Sequence, residues 1–171
     1  MDANEALVYA AALDTLRRLD PSTLPTVATE AVLQGLESEA LFVLAGESPT
    51  SDPHDLRERF AAALDELGIP QPSRLEAATT IKRRIAADVV AGRVGRREGA
   101  AEIVGLALDV EDETPNGPIA GSGFGIAELL GLYYGYDDIG PVARPDDAAY
   151  VAELEAGILD ACKRIVAGED G

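Results

Sequence analysis

Tryptophan is absent from this chain of 171 residues, and the other aromatics are five Tyr and three Phe. A core without large rings must be built from Ala, Leu, Val and Ile. Such a composition favours closely packed helices over a β-sandwich. Cysteine occurs once, as Cys162, which excludes an internal disulfide and points to a reducing compartment. Histidine also occurs once, as His54, and without a Cys/His cluster a structural zinc is not expected. No apolar run approaches the ~18 residues of a membrane span. The first residues, MDANEALVYAAALDTLRR, begin with an acid and hold no unbroken apolar stretch, so they do not read as a signal peptide. A soluble, cytoplasmic protein is expected. At 47% apolar residues the chain can bury a core despite its charge, and its length suits one domain.

Positive charge is the other scarcity. There are 14 basic residues against 31 acidic ones, a net charge of −17. That balance opposes binding to nucleic acid or to an anionic membrane by the molecule as a whole. The scarce cations are unevenly placed. Residues 1–73 carry net −9, residues 74–97 carry net +5, and residues 98–171 carry net −13. Six of the 14 basic residues, Lys82, Arg83, Arg84, Arg93, Arg96 and Arg97, fall within sixteen positions.

Helical periodicity organises most of the chain. In the first segment Val8, Ala12, Leu16 and Leu19 form a stripe, with Arg17 and Arg18 off it, and the helix is predicted to stop at Asp20-Pro21. A second helix opens near Pro25 and runs to about Gly35. Ser38 caps a third, Glu39 to Ala45, ended by Gly46. Asp52 and Pro53 start a fourth, with Leu56, Phe60, Leu64 and Leu67 on its apolar face. Ser73 and Glu76 have the spacing of a capping box, opening a fifth helix to about Ala91 with Leu75, Ala78, Ile81, Ile85 and Val89 inward. A sixth runs from about Arg96 to Leu108 and turns Ala100, Ile103, Val104 and Leu106 to the core. The segment EDETPNGPIAGSGFG, residues 111–125, reads as an acidic, then Gly- and Pro-rich loop. A short helix from Ile126 to Leu132 follows, then another turn-rich stretch. Asp146 or Asp147 starts the last helix, with Val151, Leu154, Ile158, Cys162 and Ile165 on one side. No strand is convincing. The expected object is an all-α, single-domain bundle of six to eight helices: a main part over 1–110, an irregular part over 111–145 and a closing helix over 146–168.

The basic band has three readings. It has the outline of a helix-turn-helix, with a glycine-containing turn at 92–95 and Arg96-Arg97 opening a second helix. Any αα-hairpin with a glycine turn gives that outline. In the favoured reading the arginines face the chain's own acids, with Arg84 near Asp88 and Arg97 near Glu102. In the third, the 93–97 turn is a protein-docking surface.

The remaining motifs lack the spacing their chemistry needs. Gly121-Ser122-Gly123-Phe124-Gly125 precedes a helix, as phosphate-cradling loops do, but no strand precedes it and no Gly-Lys-Ser/Thr ends it. A hinge is the plainer reading. Asp109, Glu111, Asp112 and Glu113 form one carboxylate cluster, and Asp137, Asp138, Asp146 and Asp147 another. The first fails the EF-hand pattern, since Thr114 stands where glycine is needed. His54 lies in the first turn of a helix and Cys162 on an apolar face, so neither completes a nucleophile–base pair. Tyr133, Tyr134 and Tyr136 read either as filling for a core edge or as interface anchors.

Several of these stretches resemble an uncharacterised family of small bacterial helical proteins. The matching residues are Asp20-Pro21-Ser22-Thr23-Leu24-Pro25, then Gly35-Leu36-Glu37-Ser38 with Leu41, Leu44, Ala45 and Gly46. Leu67-Gly68-Ile69-Pro70 and Gly92-Arg93 with Glu98, Gly99 and Ala100 follow. The likeness spans about residues 15–105. Where the family carries a turn-forming Ser-Pro, this chain has Gly95-Arg96. The resemblance implies an α-helical cytoplasmic protein and brings no activity, cofactor or site residue with it.

The reading is therefore a non-enzymatic, protein-binding module of accessory, regulatory or immunity type, with no catalytic, cofactor or metal site. Its negative charge suits a basic partner. Candidate contact residues are Glu111, Asp112, Glu113, Tyr133, Tyr134, Tyr136, Asp137 and Asp138, with Arg93, Arg96 and Arg97 as a second surface. The alternatives are a DNA-binding regulator using the 81–108 hairpin, and a small-molecule binder or hydrolase built on the Gly-rich loop and acidic clusters.

Overall fold

Helix starts along this chain are written locally, in side chains that reach back over three residues. A computed structural model describes residues 2–114, 122–139 and 147–169, apart from the side chains of residues 122, 137 and 138. The described residues hold eight α-helices, four 3-10 turns and no strand, which makes the fold all-α. The helices are α1 (Ala3–Thr15), α2 (Leu24–Leu33), α3 (Glu39–Ala45), α4 (Pro53–Glu66), α5 (Arg74–Val90), α6 (Arg96–Asp109), α7 (Ala127–Tyr134) and α8 (Asp147–Ala167). Among the described residues no helix is long and apolar enough to cross a membrane.

The caps explain the starts. The Leu41 amide donates to Ser38 Oγ at 3.0 Å at the head of α3. The His54 amide donates to Asp52 Oδ1 at 2.8 Å at the head of α4, with Pro53 in the first turn. Ser73 and Glu76 cap α5 reciprocally, and the backbone bond from Ser73 holds the Glu76 carboxyl below its ordinary pKa. Asp2 and Glu5 form a further capping box on α1. Each such cap is worth about 1 kcal/mol.

The chain divides into two compact units, residues 1–77 and residues 78–171. The boundary falls in the first turn of α5, where nothing in the sequence marks a linker. In the first unit α2 packs on α1, α3 and α4, and α3 packs on α4. Leu7, Leu24, Leu41, Leu44, Leu56, Phe60 and Leu64 are fully buried there. Each contributes about 1.5–3 kcal/mol by leaving water. The Ala40 amide donates to Glu66 Oε2 at 3.0 Å, so the end of α4 satisfies an orphan donor at the start of α3. In the second unit α6, α7 and α8 pack on one another around Ile103, Leu106, Ile126, Leu129 and Ile158.

α1 departs from the sequence expectation. It stops at Thr15, before Leu16 and Leu19, and its buried residues are Ala3, Leu7, Ala10, Ala11 and Ala12. The cause is a reversal at Arg17, whose φ of 58° is left-handed. The Arg17 amide donates to Asp14 O at 2.9 Å and the Arg18 amide to Leu13 O at 2.8 Å, the two bonds of a Schellman stop. Glycines hold the same position after α2, α4, α5 and α8, at Gly35, Gly68, Gly92 and Gly168. A side chain in this conformation costs about 1–2 kcal/mol.

Candidate functional site

The basic band is set by how closely α5 and α6 approach. Gly92, with φ 71°, reverses the chain after α5, and the Arg93 amide closes the turn on Asp88 O at 2.8 Å. α6 then starts at Arg96 behind Gly95. A Cβ on Gly99 would lie 2.2 Å from a Val89 methyl, so the first turn of α6 rests directly on α5.

Most of the band's cations have partners in the chain. Lys82 is only 3% exposed. Its ammonium donates to the Phe124 carbonyl at 2.8 Å and lies 4.5 Å from the centroid of the Phe124 ring. A buried charge is tolerable only with such compensation. Arg84 and Arg93 share Asp88: Arg84 Nε donates to Oδ2 at 3.1 Å and Arg93 Nε to Oδ1 at 2.7 Å. Arg96 pairs with Glu155 at 3.4 Å. Arg97 lies over the Tyr136 ring, 4.6 Å from its centroid, rather than against Glu102 as its spacing suggested. The arginines that would open a recognition helix are thus turned onto α8 and onto Tyr136.

The acids and tyrosines are differently placed. Glu111, Asp112 and Glu113 form one exposed 3-10 turn, closed by the Thr114 hydroxyl donating to Glu111 O at 3.0 Å. Tyr133 and Tyr134 end α7 with ring centroids 5.5 Å apart and planes tilted by 60°. Tyr134 is 50% exposed. Tyr136 is 7% exposed and sits in the 3-10 turn Gly135–Asp138 with Asp137 and Asp138, whose side chains lie outside the description. Asp146 also lies outside it, and Asp147 opens α8.

Tyr136 has the one unusual environment of this group. Its hydroxyl is buried and finds no hydrogen-bond partner among the described residues. Burial pushes the phenol pKa up, and the Glu155 carboxylate adds to the shift, while Arg97 and Arg96 oppose it. Tyr136, Arg97, Glu155, Ile139 and Val151 line an open cleft of about 430 Å³. Chemically the cleft offers a guanidinium, a carboxylate and an apolar wall, with the Tyr136 hydroxyl buried behind it.

Glu155 and Ile139 are the residues that sequence reasoning missed. Glu155 is 59 positions from Arg96 and has no local motif. Part of the Gly-rich loop is now accounted for by packing. Ser122–Phe124 forms a 3-10 turn with Phe124 buried and its carbonyl engaged by Lys82, while Gly121 lies outside the described residues. His54 is exposed with Nε2 3.3 Å from Glu58. Cys162 is buried, and its burial raises the thiol pKa to about 11. Compared with protein-family models, with curated proteins and with solved structures, the chain has no match.

Proposed function

We propose that the protein is a non-enzymatic binding module of the cytoplasm. Its protein partner docks on the second unit, at the Tyr136 cleft and the Tyr133–Tyr134 pair beside it in sequence. The Tyr136 hydroxyl carries the reading. A buried donor left without an acceptor costs about 1–3 kcal/mol, and a partner that parts the cleft and brings a backbone carbonyl to this hydroxyl recovers that cost. Tyrosines are also over-represented among residues that anchor interfaces. Residues 78–171 hold nine basic and seventeen acidic side chains, net −8, which steers a basic partner toward this unit. The exposed Glu111–Glu113 turn belongs to that field.

The test compares the parent with Tyr136→Phe and with a Glu111→Gln, Asp112→Asn, Glu113→Gln triple variant. Each full chain is immobilised and exposed to host lysate at low and at physiological salt. One stoichiometric basic protein should be retained by the parent, weakened by Tyr136→Phe and made less salt-sensitive by the triple variant. Tyr136→Phe removes only a hydroxyl, so its folding should be unimpaired. Retention of background alone, or of the same protein equally by all three, rejects the proposal.

A further inference from the structure

Among the described residues of the first unit, the large hydrophobic side chains left exposed all lie on one helix pair. Leu33, at the end of α2, is 81% exposed, and Phe42 and Val43 of α3 are 51% and 44% exposed. The two helices run antiparallel. Residues 34–38 join them, and the Thr29 hydroxyl comes within 3.5 Å of the Ala45 carbonyl at the far end of α3. Leu33 lies one turn beyond Thr29, and Phe42 one turn before Ala45, so the two side chains flank the same seam. Leu41 and Leu44 supply the buried side of α3, which leaves Phe42 and Val43 surplus to the core. Single apolar side chains on a surface are ordinary, whereas three on adjoining helices make a patch.

The charge around this patch has one sign. Glu30 precedes Leu33 by three residues and Glu39 precedes Phe42 by three, the spacing of neighbours on a helix face, while Glu37 lies in the connection. All three are exposed, and none makes an ion pair among the described residues. From Leu19 to Leu56 the sequence holds seven Asp and Glu and no Lys or Arg.

We propose that this face docks an amphipathic helix of a basic protein partner, its apolar stripe on Leu33, Phe42 and Val43 and its Lys or Arg flanks on Glu30, Glu37 and Glu39. An antiparallel pair with an apolar seam has the shape that a third helix fills. Charge decides the occupant. A second copy of the chain would set the same acids against one another across a two-fold axis, and an anionic membrane or nucleic acid would be repelled. The surface belongs to the first unit and does not depend on the partner proposed for the second.

The test uses the full chain and a synthetic peptide of about 18 residues, with Leu at helical spacing and Lys elsewhere. One counterpart has the same composition with the spacing scrambled, and another has Glu in place of Lys. Binding is followed by calorimetry and by amide chemical shifts. The spaced Lys peptide should bind saturably, with shifts concentrated at residues 29–46, and both counterparts should bind at least about tenfold more weakly. Leu33→Ser and Phe42→Ala should each weaken binding by about tenfold, and Leu33 is too exposed for folding to depend on it. Glu30→Gln combined with Glu37→Gln should flatten the salt dependence. Leu108→Ser, which removes an exposed leucine of the second unit, and Tyr136→Phe should both bind as the parent does. Absence of saturable binding overturns the proposal, as do shifts centred elsewhere or equal binding of the scrambled peptide. So does binding that survives both Leu33→Ser and Phe42→Ala, or that is lost in Tyr136→Phe. A concentration-dependent dimer of the parent that Phe42→Ala abolishes also overturns it, since a second copy then covers the face.

Discussion

Five of the six cations of residues 82–97 and Arg17 stand in opposite circumstances. The first group crowds the sequence, yet Lys82, Arg84, Arg93, Arg96 and Arg97 each contact a carbonyl, a carboxylate or a ring of the same chain. Arg17 sits in an undistinguished stretch, yet it lies open at a cleft in a backbone conformation that disfavours it. Crowding is a property of composition. Availability depends on what folding brings near, and here that separates the two cases.

The contrast can be broken most forcefully at Gly99. The approach that lets the band's cations reach their partners requires no side chain at this position. Gly99→Ala should cost about 2 kcal/mol, because the new methyl overlaps the stiff, buried side chain of Val89. Denaturant unfolding measures it, and unchanged stability would mean that α5 and α6 do not meet as described.

A sharper comparison sets two helix ends against each other. Gly92→Ala and Arg17→Gly are opposite changes at equivalent positions, φ 71° and φ 58°. A Cβ on Gly92 meets nothing within 4 Å, so its cost is backbone strain alone. Gly92→Ala should lose about 1 kcal/mol, and Arg17→Gly should gain about as much. Equal signs in the two unfolding curves would show that Arg17 carries no backbone strain at the end of α1.

The smallest effect is expected at Arg96. Its side chain is 41% exposed and that of Glu155 43%, so solvent screens the pair. Arg96→Ala should change stability by less than about 0.5 kcal/mol. With Arg96 paired to Glu155 and Arg97 laid over the Tyr136 ring, gel shifts at low salt should show no salt-sensitive DNA binding by the parent. A DNA complex abolished by Arg96→Ala and Arg97→Ala would reverse the contrast, making the band the working surface.

Much of the fold was legible because its signals are short in sequence. Ser38, Asp52-Pro53 and Ser73 with Glu76 write helix starts within three residues, and the structure begins α3, α4 and α5 where they predict. Gly35, Gly68 and Gly92 marked the ends of α2, α4 and α5 by the same local logic. The stripes of α4 and α6 named Leu56, Phe60, Leu64, Ile103 and Leu106 as buried, and they are. The end of α1 was missed because arginine is no stop signal, and the stripe through Leu16 and Leu19 continued past it. The Tyr136 cleft was missed for another reason. It assembles residues from positions 97, 136, 139, 151 and 155, and no periodic pattern links them. Tyr136 itself was noticed, but only packing distinguishes its buried hydroxyl from the half-exposed ring of Tyr134.

The buried thiol of α8 gives the molecule an internal clock. Cys162 is the chain's only sulfhydryl, is inaccessible when packed and resists ionisation near neutral pH. Each alkylation event therefore timestamps an excursion in which α8 has lifted from its neighbours, and the breathing of that helix can be counted without attaching a probe.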